Sequence, residues 1–206
     1  MRQLFIIPAV ILLAFAAPLP AADITPAGKK LADFLDAMDV EHLWDPGKSV
    51  AWKTGKPLEQ QGEVRKGNTH CSAFVAAACL KADVYILRPP EHATKLLANA
   101  QAEWLASQGA EKGWKPVPTA GEAQRRANQG ELVVAVFREA NAERSGHIAI
   151  VRPSEKAEAK VREEGPQICQ AGATNAKSTP LAVGFKHHKG AWPGGVRFYV
   201  HPITLK

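Results

Sequence analysis

Leu132-Val133-Val134-Ala135-Val136-Phe137, a polar turn, and then His147-Ile148-Ala149-Ile150-Val151 make up two short runs dominated by valine and isoleucine. Runs of this length rich in β-branched residues, separated by turn residues, read as two antiparallel strands. Working outward, the N-terminal side has a different period. Thr25 followed by Pro26 is an N-cap with a first-turn proline, after which Leu31, Phe34, Leu35 and Met38 form one helical stripe. Residues 40–67 carry Pro46, Gly47, Gly55, Pro57 and Gly62 and read as irregular. A second helix is expected from Cys71 to about Ala82, capped by Asn68 or Thr69. Pro89-Pro90 opens a third, reaching Ser107 on a stripe of Ala93, Leu96, Leu97, Ala100 and Trp104 and ending at Gly109 and Gly113. Thr119 and Glu122 form a capping-box pair for a short helix that stops at Gly130. Beyond the hairpin, residues 153–165 are charged and expected to be exposed, and Gln167–Ala171 and Val196–His201 read as further strands. Helices first and strands later, without βαβ alternation, predict an α+β class.

The first 22 residues read as an export signal rather than as part of the fold. Arg2 gives a positive start, Leu4 to Ala17 an apolar stretch, and Ala21-Ala22 a cleavage site before Asp23. That stretch is shorter than the roughly 20 residues of a spanning helix. The expectation is therefore a periplasmic or secreted protein without a transmembrane anchor, its residues 23–206 forming one domain. The formal net charge of +6 favours anionic partners, envelope polymers among them. No dense Lys/Arg run or recognition motif points to nucleic acid.

Of the three cysteines, Cys71 and Cys79 lie eight apart on one expected helix, roughly 12 Å. A disulfide needs Cα atoms within about 7 Å, so these two do not bridge; a Cys79–Cys169 link remains open. The odd count leaves at least one thiol available for chemistry or for a second chain. Within Asn68-Thr69-His70-Cys71-Ser72-Ala73-Phe74-Val75, Cys71 falls in the first turn of a helix. The positive end of the helix dipole and the unpaired N–H groups there favour a thiolate and can receive an oxyanion. Cys79, deeper in the same helix, reads as structural. His147 opens a strand after Gly146, where its ring can take a thiol proton and return it to a leaving amine.

Cys71-Ser72-Ala73-Phe74-Val75, Gly130-Glu131-Leu132-Val133-Val134 and Gly146-His147-Ile148-Ala149-Ile150-Val151 together resemble the NlpC-type and CHAP-type amidohydrolases. The resemblance spans roughly residues 66–172. It implies a papain-like α+β fold, with the nucleophile helix packed on a C-terminal antiparallel sheet. It also implies hydrolysis of an amide bond in bacterial cell-wall peptides by Cys71 as nucleophile and His147 as base, without a cofactor. One departure is the insertion that carries residues 90–107 and the Trp114 loop. Such families place a third polar residue on the next strand to orient the histidine. Gln170 is the candidate here, with Asn175 in the following loop as the alternative.

His70 and Ser72, flanking Cys71, read as supporting residues, since Ser72 lacks the glycine pattern of a serine nucleophile. His42, His92, His187, His188 and His201 show no metal-ligand spacing, so no metal is expected. Trp44, Trp52, Trp114 and Trp192 sit in loops, where one or two could line a cleft. Two other readings stay open: a Cys-His acyltransferase or non-wall protease, and a catalytically silent envelope-binding module. No reading of an inhibitor protein follows from the sequence.

Overall fold

The computed structural model describes residues 23–59 and 69–205. The expected export signal and the Asn68 cap lie outside the described residues. Among those residues no helix is long and apolar enough to cross a membrane.

Helix α1, Pro26–Ala37, begins as Thr25 and Pro26 require, with Thr25 Oγ1 accepting from Gly28 N at 3.1 Å. The same hydroxyl donates to Asn128 O at 3.0 Å, which docks the start of α1 on the end of a later helix. Helix α2, Cys71–Lys81, is buried at every position from Cys71 to Cys79. Small and apolar residues on all sides make this a core helix without a polar face. Its N-cap is His70, whose side chain makes no capping bond, so the cap expected from Thr69 does not form.

The double proline does not open a helix. Turns occupy residues 89–96, and α3 runs only from Leu97 to Ser107. Its buried face is Leu97, Ala98, Gln101, Ala102, Trp104 and Leu105, whereas Ala93 is exposed. The expected stripe was therefore right at Leu97 and Trp104 and wrong upstream. A 3₁₀ turn at Gly109–Lys112 leads to strand β1, Lys115–Val117. Helix α4, Ala120–Asn128, starts with Thr119 Oγ1 accepting from Glu122 N at 3.1 Å. Only half of the capping box forms, because the Glu122 carboxylate turns to Arg125 and Arg126 instead.

Strands β2, Leu132–Phe137, and β3, His147–Val151, pair antiparallel as expected, with Phe137 opposite His147. The charged stretch contains a short helix α5, Glu158–Glu164, which buries Val161. Strand β4, Gln167–Gln170, is followed by β5, Ala176–Pro180, helix α6, Leu181–Gly184, and β6, Arg197–His201. The six strands form one antiparallel sheet in the order β1-β6-β2-β3-β4-β5. The chain is thus α+β. Every residue of β2 and β3 is buried; since strand side chains alternate, both faces of the sheet are covered there. Helix α2 packs on β3 and β4, α3 on β2 and β3, and α4 across β2 and β6. All three cysteines are free and buried, so the Cys79–Cys169 bridge is absent. Trp44 and Trp114 are fully buried: Trp44 edges onto Phe74 of α2 at 5.3 Å, and Trp114 donates to Tyr85 O at 2.8 Å.

Candidate functional site

The packing of α2 on β3 brings the start of one to the start of the other. Cys71 is the first residue of α2 and only 3% exposed. Its N–H has no acceptor one turn back within the helix. Burial pushes the Cys71 thiol up. The backbone N–H groups of Ile148, Ser72 and Cys71 itself, and the Ser72 hydroxyl, pull the other way. Ile148 directly follows His147, so the sulfur lies against the first residues of β3. The low thiol pKa expected from the helix start alone is therefore corrected: desolvation outweighs the helix terminus.

His147 is buried, and its Nε2 meets Gln170 Oε1 at 2.9 Å. The sheet register explains this contact. Ile150 pairs with Cys169, so Gln170 and His147 occupy the same face on neighbouring strands, in diagonal positions. Gln170 Nε2 donates to Thr174 O at 3.0 Å, which turns its Oε1 toward the ring. His147 Nε2 must then carry the hydrogen, and Nδ1 keeps the lone pair. Burial holds His147 down to about 4, with the Gln170 bond opposing it. The ring is neutral near pH 7.

Asn175 does not reach the ring. Its Nδ2 donates to the carbonyls of Val40, Leu43 and Trp44 at 2.9, 2.8 and 3.2 Å, and its Oδ1 accepts from Gly172 N. It clamps two loops together. His70 meets Lys48 O through Nε2 at 2.8 Å, which ties the loop after α1 to the start of α2. Trp52 and Leu58 from that loop line a cavity with Thr69, His70 and Ser72. Trp192 lies elsewhere and donates to Glu163 O.

Three residues at the site escaped the sequence reading. His188 stacks on His147 with ring centroids 5.3 Å apart and planes 12° from parallel, and Phe185 closes the ring edge-on at 4.6 Å. Burial, then the neighbouring His147, holds His188 down to about 4. Asn99 of α3 accepts from Glu139 N and Gly146 N through Oδ1 and donates to Arg144 O, fixing the turn that delivers His147. Gly146 is needed there, because a Cβ would run into Phe137 O. Gly172 leaves room beside the ring, where a Cβ would lie 3.3 Å from His147 Cε1. A paired Phe-x-x-His segment over the hairpin was in principle visible in the sequence, but nothing local says which ring it covers. Among the described residues no three His, Cys, Asp or Glu side chains group as metal ligands. No protein-family model and no curated protein matches this chain.

Proposed function

We propose that the protein is an exported cysteine hydrolase of papain-like architecture that cleaves an amide bond, with cell-wall peptides as the substrate class. The observation that carries the reading is the His147–Gln170 hydrogen bond, which leaves the lone pair on His147 Nδ1, while the Cys71 sulfur lies at the N–H of Ile148, the next residue along the strand. Thiol and imidazole are both neutral at rest. As the sulfur attacks the carbonyl carbon, its proton passes to His147 Nδ1 and the carbonyl electrons move onto oxygen. The N–H of Cys71 at the helix start stabilises that oxyanion. Collapse breaks the C–N bond while His147 gives its proton to the departing amine. Water then adds to the thioester, losing a proton to His147, and the acid leaves as the proton returns to sulfur. Gln170 keeps the ring in the required tautomer throughout.

The test is digestion of purified sacculi by the protein and by Cys71→Ala, with mass spectrometry of the released fragments. New amine and carboxyl termini are expected from the unsubstituted protein alone. Fragments appearing equally with Cys71→Ala would end this reading. A second reading, a silent envelope-binding module, is favoured by the burial of Cys71, and it predicts sacculus binding without fragments.

A further inference from the structure

Two cavities flank the start of α2, and Thr69 lines both. The one that His147 does not line measures about 230 Å³, is walled by Ser49, Val50, Trp52, Leu58 and Thr94, and has no Lys or Arg in its lining. The one against His147 and Gln170 measures about 340 Å³ and is rimmed by Arg144, Lys186 and His187, with no Asp or Glu in its lining. Among the described residues most arginines are committed elsewhere: Arg125, Arg126, Arg138, Arg152 and Arg162 all hold carboxylates. Among the described residues Arg144 and Lys186 form no ion pair. Glu139, on the same turn as Arg144, acts on His188 but lies outside the cavity lining, and its Oε1 accepts from Ala140 N. Glu143 also lies outside the lining.

We infer that the leaving-amine portion of the substrate carries a carboxylate, which Arg144 and Lys186 receive in the cavity beside His147. The inference rests on the hydrolase reading above. The group that protonates the departing nitrogen must stand on the leaving-group side, so the cavity that shares His147 takes the amine fragment. The uncharged cavity across Thr69, where Ser49, Ser72 and Thr94 line the wall with Val50, Trp52 and Leu58, takes the acyl fragment. An amino acid or short peptide with a free C-terminus is the leaving group that matches a cationic rim placed there.

The probes are N-acetyl-alanyl-alanine and the same dipeptide as its C-terminal carboxamide, which differ in charge and hardly in shape. Each is titrated into the purified protein, and binding is followed through the imidazole resonances of His147 and His188. The carboxylate is expected to bind about five-fold tighter at low salt, a preference two exposed cations can supply. The double variant Arg144→Gln/Lys186→Gln, which leaves Cys71, His147 and Gln170 in place, should bring the two probes to parity, as should about 0.5 M salt. Equal affinities, no binding of either probe, or a preference that survives in the double variant overturns the inference. Modification of Cys71 by a peptidyl chloromethyl ketone is measured on the same preparations. Modification without a carboxylate preference sinks the inference and leaves the hydrolase reading standing. A preference without modification sinks the hydrolase reading, and the leaving-group assignment with it.

Discussion

Exchanging His147 for glutamine removes a titrating ring from the interior while keeping an N–H able to reach Gln170 Oε1. In the native protein the ring lies between Phe185 and His188, and burial holds it down to about 4 from an ordinary 6.5. For a base with a depressed folded pKa, the unfolded chain takes its proton first as the pH falls. Between about 6.5 and 4 the unfolded state therefore holds more protons, and stability drops with falling pH. One pH unit is worth about 1.4 kcal/mol, so going from about pH 7 to about pH 4.5 costs roughly 2 to 3 kcal/mol through His147 alone. His188 shifts the same way, but its ring is only partly buried and contributes less. The assay is urea unfolding of both proteins at the two pH values and constant salt. The quantity compared is the drop in stability, because the substitution itself moves the starting level. His147→Gln should lose roughly 2 to 3 kcal/mol less on acidification. Equal drops in the two proteins would refute the picture of His147 as a buried neutral base.

Burial of the Cys71 thiol predicts slow iodoacetamide labelling near pH 6, with the rate climbing only above the ordinary thiol range near 8.5. Rapid labelling of Cys71 at pH 6, located by peptide mapping, would show that the sulfur is already anionic at rest. Gln170→Ala should cut turnover by about ten- to hundred-fold, less than removing His147, since nucleophile and base both remain. Asn175→Ala should instead cost roughly 2–4 kcal/mol in unfolding free energy, with near-normal turnover per folded molecule, because several backbone groups lose their partner. If these two effects exchange places, Asn175 is the functional residue. Asn99→Ala frees the turn that delivers His147, so turnover should fall severalfold while the Cys71 labelling profile keeps its midpoint. A normal rate in Asn99→Ala would show that β2 and β3 hold the ring unaided.

Elements with strong local signals were legible. Thr25-Pro26 and Thr119 satisfy helix N–H groups within a few residues, and the valine-rich hairpin is buried on both faces, so its pattern does not depend on distant partners. Strands β1 and β5 were missed because they lie at the sheet's edges and are partly exposed. An edge strand of Lys-Pro-Val or Ala-Lys-Ser-Thr-Pro needs no apolar alternation and tolerates proline. Pro89-Pro90 misled for the opposite reason: a proline pair suits a first helical turn as well as a bend, and only the packing of Leu97, Gln101 and Trp104 decides where α3 starts.

The same division runs through the site. Sequence alone determined that Cys71 starts a helix and His147 starts a strand, since both follow from local patterning. It also placed Gln170 on a strand, but its meeting with His147 depends on the pairing of Ile150 with Cys169. Tertiary structure alone decided that Asn175 clamps loops, that His188 covers His147, and that the Cys71 thiol is pushed up rather than down. A helix terminus acts over one turn and is written in neighbouring residues. Desolvation is set by whatever the rest of the chain folds over the group, and no local spacing records it.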